Sequence, residues 1–296
     1  MSSISSVSSV SSIGSITTRP VAECTAEEVV AALARGFEGY LVPLCFTAQT
    51  YERRFRAENL DPYASRVYER EGAPVGVLLI ARRGWTSRVA AMGFAPEVRG
   101  QGLGRRFLGV AITEAEGRGD RTMLLEVFEQ NPPAIALYTQ LGFLTRRRLV
   151  GWKWEPGEAA VDPADTDDLT EIDPLEFGRL VGRQGEPDLP WALQAETLSA
   201  ATAPARAWHL AHRAYALVAD PAAEKLALTA LVVPEPHRRQ GWGSRLVQSL
   251  LAAFPGRPWS VSPVVPEGLV GDFFTQLGWG GWEIRQIEMR LEIGAS

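Results

Sequence analysis

Met92-Gly93-Phe94-Ala95-Pro96-Glu97-Val98-Arg99-Gly100-Gln101-Gly102-Leu103-Gly104 is the stretch that decides the reading of this chain. An apolar run ends at Pro96, a turn of the form Arg-x-x-Gly-x-Gly follows, and a helix begins. Leu103, Phe107 and Ala111 recur at every fourth position, with Leu108, Ile112 and Ala115 beside them, which gives that helix one buried face. Glycines at a strand-to-helix turn let the backbone come close to a ligand. The free N–H groups of the first helical turn then point at the ligand, and the helix dipole favours an anion there. The local physics is that of a phosphate or pyrophosphate cradle, with Arg99 and Arg105 adding positive charge. Taken alone, the same residues also fit a plain glycine-rich turn with solvated arginines.

The turn does not fit two common phosphate loops. A P-loop carries Lys and then Ser or Thr after its last glycine, whereas Arg105 and Arg106 stand here. A dinucleotide fingerprint needs Gly-x-Gly-x-x-Gly, and its last glycine is replaced by Arg105 or Phe107. Arg-x-x-Gly-x-Gly between a strand and a helix instead resembles the acetyl-CoA pyrophosphate loop of the GNAT N-acetyltransferases. Leu125-Glu126-Val127, Asn131, Ala134, Leu137-Tyr138 and Leu141-Gly142-Phe143 follow in order. They resemble the motif after that loop in the branch that includes ribosomal-protein N-terminal acetyltransferases. The resemblance covers residues 17–155.

The pattern then repeats. Val232-Val233-Pro234-Glu235 leads to Arg238-Arg239-Gln240-Gly241-Trp242-Gly243 and a helix apolar at Leu246, Leu250 and Phe254. Phe273-Phe274-Thr275-Gln276-Leu277-Gly278-Trp279 lines up with Leu137-Tyr138-Thr139-Gln140-Leu141-Gly142-Phe143. The expected fold class is α/β (α+β): two tandem GNAT-like domains, each a mixed, mostly antiparallel sheet flanked by helices. The expected layout is a disordered Ser-rich tail at 1–16, a catalytic GNAT domain at 17–155, a linker at 156–168 and a degenerate GNAT-like domain at 169–296. Helices are expected over 26–41, with Thr25 as N-cap, and over 47–60. Strands are expected at 65–70 and 74–82, joined at Glu71-Gly72, then at 88–94 and 123–128. Asn131 caps a further helix, Gly142 ends it, and a strand over 144–154 closes the unit. In the second copy, strands pair over 213–219 and 226–233.

Composition narrows the partners. A net charge of −5 advertises no basic surface for nucleic acid. No apolar run reaches a membrane span, and the Ser-rich start lacks the basic and apolar regions of a signal peptide. Cys24 and Cys45 lie outside any pairing motif, which fits a reducing, cytoplasmic setting. His209 and His212 have the i,i+3 spacing of helical metal ligands, but nothing nearby offers a third ligand, so no metal is expected.

The resemblance implies acetyl-CoA as co-substrate and an amine of a small molecule or peptide as acceptor. An ammonium is not a nucleophile, and an amine with a pKa of about 10.4 is mostly charged at neutral pH, so a base must take its proton. Glu126 matches the residue with that role, with Glu129 as second candidate. Pairing with a nearby arginine is the competing reading of Glu126. Tyr138 matches the acid that protonates the leaving thiolate, although by pattern alone it is an apolar-face aromatic. The implied co-substrate residues are Phe94, Ala95, Arg99, Gly100, Gln101, Gly102, Leu103, Gly104, Arg105 and Asn131. Backbone N–H groups of Phe94 and Ala95 would serve the thioester oxygen, and those from Gln101 to Arg105 the pyrophosphate. Arg238, Gly241 and Gly243 form a possible second loop, but Phe274 lacks the hydroxyl of Tyr138 and no Asn aligns with Asn131. A structural role for the second copy is the preferred reading. The alternatives are a mycothiol synthase-like tandem enzyme, in which the second copy is catalytic, and a non-catalytic acyl-CoA-binding regulatory module.

Overall fold

Thr25 and Thr47 each open a helix in the same way. The threonine hydroxyl accepts from the N–H three residues on, and the side chain there, Glu28 or Thr50, accepts from the threonine N–H. The computed structural model describes residues 16–42, 45–157 and 169–294. Residues 1–15 of the expected tail, Pro43 and residues 158–168 of the expected linker lie outside the described residues.

The first half runs β1 (Ile16–Pro20), α1 (Ala26–Gly36), α2 (Ala48–Ala57), β2 (Arg66–Arg70), β3 (Ala73–Arg83) and β4 (Thr86–Phe94). It continues with α3 (Leu103–Gly117), β5 (Thr122–Phe128), α4 (Pro132–Gln140) and β6 (Leu144–Trp154). The second half runs β7 (Leu169–Ile172), α5 (Pro174–Gln184), α6 (Ala195–Ser199), β8 (Arg206–Leu210), β9 (Ala214–Val218) and β10 (Leu226–Val232). Then come α7 (Trp242–Ala253), β11 (Trp259–Pro266), α8 (Phe273–Gln276), β12 (Gly280–Gly281) and β13 (Gln286–Glu292). The first helix ends at Gly36 rather than at residue 41. Its C-terminal turn lies so close to β4 that a Cβ on Gly36 would sit 2.7 Å from the Gly93 carbonyl oxygen. The hairpin between β2 and β3 turns at Glu71-Gly72, both at positive φ (53° and 78°), the geometry that two-residue hairpin turns require. His209 lies on β8 and His212 in the turn after it, not on a helix.

All strands join one sheet in the order β1-β2-β3-β4-β5-β13-β6-β11-β10-β9-β8-β7, with β12 also against β6. Among the described residues only β4 with β5 and β10 with β11 pair in parallel, so the sheet is mixed and mostly antiparallel. In the first half, α3 and α4 cover one face around Leu78, Val89, Leu108, Leu125 and Phe143. On the other face lie α1 and α2, with Val29, Leu33, Tyr51, Phe55, Val77 and Leu79.

The expectation that β6 closes the first unit by itself does not hold. The last strand of the chain, β13, is inserted between β5 and β6. It pairs with β5 along its whole length, from Gln286↔Phe128 to Glu292↔Thr122. The start of β6 pairs with β13, while its end, from Leu149 to Trp154, pairs with β11 of the second half. Each half therefore completes its sheet with a strand of the other. The driving force is burial: Met289 is sealed in the core under α3 and α4, with Ile287 and Leu291 packed beside it.

Candidate active site

β4 and β5 pair from Thr86↔Thr122 to Val89↔Leu125, and there the ladder stops. Beyond it, Ala90–Phe94 and Glu126–Phe128 diverge into a V. The cause is local. Ala90 is an extra residue in β4, where the register against β3 jumps from Ile80↔Val89 to Leu79↔Ala91, and such a bulge bends and twists its strand. The second half uses the same device. β10 and β11 pair only at Leu226↔Trp259 and Ala227↔Ser260, and the β10 register against β9 jumps between Leu228 and Ala230.

At the mouth of the first V, α3 begins behind Gly102, at φ 76°, with no side chain capping its first N–H groups. A Cβ on Gly100 or Gly102 would meet nothing within 4 Å, so the space over the turn is open. Gly104 has a different job: its Cβ would lie 3.0 Å from Leu137, so it lets α3 pack close against α4. Gln101 and Arg105 are exposed beside the cradle, and Leu103 is buried beneath it. The second loop reproduces this geometry, with Gly241 at φ 81° and Gly243 packed on Phe273. Arg239 takes the left-handed conformation that Gly100 takes in the first copy.

Two expected contacts need correction. Arg99 is not a free phosphate ligand. Its Nε donates to the Phe94 carbonyl at 2.7 Å, and Nη2 donates to the carbonyls of Gly36 (3.2 Å) and Glu38 (2.6 Å). It locks the loop to the C-terminal end of α1, where a cation is favoured. The Ala95 N–H is not free for the thioester oxygen, because it donates to the Val75 carbonyl at 2.8 Å. Backbone direction alternates along an antiparallel strand, so the N–H of Phe94 points away from β3, toward the V.

Glu126 is the first β5 residue beyond the last β4–β5 pair, at the apex of the V. Of its two readings, the arginine pair is present. Arg88 donates to Glu126 Oε2 from Nε (2.7 Å) and Nη2 (2.6 Å), and to Glu58 Oε2 from Nη1 (2.7 Å). Arg88 and Glu58 are both buried. Burial pushes the Glu58 carboxyl up, but Arg54 and Arg88 more than offset it and hold it down at about 2. Burial works against the Arg88 charge as well, and Glu126 and Glu58 override it, keeping the guanidinium firmly protonated. Glu129, the second candidate, is tied to Arg148. Arg88, Glu58 and the β13 residue Glu288 have no counterpart among the expected site residues. One signal was available for the last: charged residues alternate with Ile287, Met289 and Leu291 along β13.

Asn131 caps α4, its Oδ1 accepting from the Ala134 N–H at 3.3 Å. Tyr138 is buried at the end of the core, edge-on to Phe143. Burial, with a lesser contribution from Tyr40, raises its phenol pKa well above the ordinary value, so the group stays protonated. Tyr40, from the connection after α1, reaches across the V. Its ring lies 5.8 Å from that of Phe128. Tyr51, on α2, belongs to the core. Phe37 and Tyr40, after α1, pack edge to face. Phe274 is buried where Tyr138 would stand, and α8 is one turn long against nine residues for α4. A separate cavity of about 240 Å³ lies at the paired end of β4 and β5, away from the V, lined in part by Arg83, Thr86, Arg146, Trp191 and Arg290.

Residues 28–143 match the acetyltransferase (GNAT) family. A stretch of 118 residues, 39% of this chain and 38% of the relative, is 31% identical to the mycothiol acetyltransferase of Streptomyces bingchenggensis. A stretch of 48 residues, 16% of this chain and 32% of the relative, is 52% identical to a ribosomal-protein alanine N-acetyltransferase of Escherichia coli. The chain thus spans less than half the length of these curated relatives. The fold superposes on a tandem GNAT protein from the clavulanic acid biosynthesis pathway with a TM-score of 0.67 and 18% identity, over 95% of this chain and 100% of that one. On a GCN5-related N-acetyltransferase from Sphaerobacter thermophilus the values are 0.66 and 15%, over 94% and 96%. The chain has the tandem GNAT fold, and within it residues 28–143 carry the match to the acetyltransferase (GNAT) family.

Proposed function

We propose that this protein is an acetyl-CoA-dependent N-acetyltransferase acting on a primary amine of a small molecule or a protein N-terminus, with its working site in the V of the first copy. The two copies are read as residues 17–155 and 169–296, each lending the other a strand, and the setting as cytoplasmic. One observation carries the choice of copy: Tyr138 and its capped helix flank the first V, while Phe274 and a single turn flank the second. The mycothiol acetyltransferase relatives favour a small-molecule acceptor, and the ribosomal-protein relative favours a peptide terminus.

The residues fit the co-substrate. The uncapped N–H groups behind Gly102 suit a pyrophosphate, and the outward N–H of Phe94 suits the thioester oxygen, which gains charge as the amine attacks. When bound, acetyl-CoA supplies the activated acetyl group. The amine nitrogen would form a bond to the carbonyl carbon, the carbon–sulfur bond would break, the leaving thiolate would take a proton from Tyr138, and the second proton that the nitrogen sheds as the amide forms would restore the Tyr138 hydroxyl, directly or through water. The proton lost by the ammonium passes to Glu126, directly or through water. Arg88 grips Glu126 through Oε2 alone, which leaves Oε1 for that task.

The test is release of the CoA thiol from acetyl-CoA in the presence of a panel of primary amines. Amine-dependent release is expected. Tyr138→Phe should lower kcat by about a hundredfold while leaving acetyl-CoA affinity unchanged. Acetyl-CoA binding with no release for any amine would make the chain a binding module instead.

A further inference from the structure

A row of charged side chains crosses the sheet beneath the apex of the V. Glu126 on β5, Glu288 on β13 and Arg147 on β6 are successive register partners, so all three lie on one face. Arg146 is the extra residue of a bulge in β6, and it joins them. Glu288 Oε2 accepts from Arg147 Nε at 2.6 Å and from Arg146 Nη1 at 3.3 Å. Both arginines also bind Asp188 of the second half. On the other flank, Glu126 is held by Arg88, which shares Glu58 with Arg54. The second oxygen of Glu288, Oε1, is fully buried and has no hydrogen-bond partner among the described residues. A buried carboxylate oxygen without a donor is rare in a native structure and marks a place where a ligand or water belongs.

Counting Arg54, the row carries as many arginines as carboxylates, and it leaves one buried acceptor, Glu288 Oε1, and one buried donor, Arg147 Nη2, without a partner among the described residues. Under the proposed function, the donor brought to the apex is the ammonium of the acceptor. We infer that Glu288, on the strand lent by the second half, is the second carboxylate of the acceptor site, and that its Oε1 receives a hydrogen bond from the acceptor's ammonium beside Glu126. The second half thereby contributes a binding residue to the first half's site. This inference rests on the proposed reaction for its ligand, but its test does not depend on turnover.

The test is thermal melting with saturating CoA and millimolar primary amines, for the wild type and for Glu288→Gln. At least one amine should raise the wild-type Tm and fail to raise that of Glu288→Gln, and its neutral N-acetyl product should raise neither. With an amine that is acetylated, Glu288→Gln should raise its KM about tenfold or more, with kcat and the acetyl-CoA Kd little changed. Should Glu288→Gln not fold, Glu288→Asp carries the comparison, with a smaller rise in KM. Equal amine effects on both proteins, or none on the wild type, would overturn the inference; a water bridging Glu288 Oε1 and Arg147 Nη2 would give that result. Differential melting without acetylation of any amine would uphold it and refute the proposed activity.

Discussion

Arg99 and Arg238 hold equivalent positions in two copies of one loop, and each donates from Nε to the carbonyl five residues upstream, Phe94 at 2.7 Å and Val233 at 3.0 Å. Each also reaches the end of its own half's first long helix, at Gly36 and Glu38 or at Gln184. Gln101 and Gln240 repeat the agreement, both donating to the carbonyl four residues back. The conserved geometry is that of a brace. Arg99→Met should therefore cost about 2 kcal/mol in denaturant unfolding. It should weaken acetyl-CoA binding far less than a blocking change at Gly102, and a loss of affinity as large as that of the Gly102 change would make Arg99 a ligand after all.

Arg88→Met should destabilise the protein by about 3–5 kcal/mol, because it strands Glu58 and Glu126 without their shared cation. The effect depends on pH with a definite sign. The Glu58 carboxyl is depressed in the folded state, so its stabilisation is present above its ordinary value of 4.5 and lost as pH falls toward about 2. Unfolding curves at pH 7 and pH 3 should show the gap between wild type and Arg88→Met narrowing in acid. A gap independent of pH would rule out this electrostatic account.

Met289→Ala, in the second half of the chain, should loosen the first half. Its side chain lies in the core beneath α3 and α4, and the truncation should cost about 2–5 kcal/mol. Because each half completes the other's sheet, calorimetry should record one unfolding transition, shifted as a whole. Two transitions, with only the later element moved, would mean that the shared strands carry little of the stability.

Tyr40→Ala should raise the KM of the acceptor and leave kcat within a few-fold, since Tyr40 spans the V from the α1 side to Phe128. Initial-rate kinetics at saturating acetyl-CoA decide it, and an unchanged KM would make Tyr40 packing only.

What the sequence disclosed was local. The caps at Thr25 and Asn131, the turn at Glu71-Gly72 and the two glycine loops depend on residues a few positions apart, and all stand in the structure. The repeat holds at the level of single bonds. The N–H groups of Phe143 and Trp279 both reach back to the carbonyl of the residue aligned in the two motifs, Tyr138 and Phe274. Long-range pairing was not legible. Nothing near Gln286–Glu292 says that its partner is Thr122–Phe128, because strand alternation gives a face and not a neighbour. The same limit hid Arg88 between Glu58 and Glu126: a sequence shows an arginine and two glutamates, and only the fold brings them into one row. Arg99 misled for a related reason, since its charge suggests an anion while its actual partners are three carbonyls.

The most direct test of the central claim, that the first copy holds acetyl-CoA, is calorimetric titration of acetyl-CoA into the wild type, Gly102→Glu and Gly241→Glu, each checked for folding. Both glycines sit at positive φ with open space above them, so a glutamate there adds bulk and negative charge to its own cradle at a backbone cost of about 1–2 kcal/mol. Loss of binding in Gly102→Glu with binding retained in Gly241→Glu is the predicted result. Loss in Gly241→Glu with binding retained in Gly102→Glu would contradict the account and move the working site to the second copy.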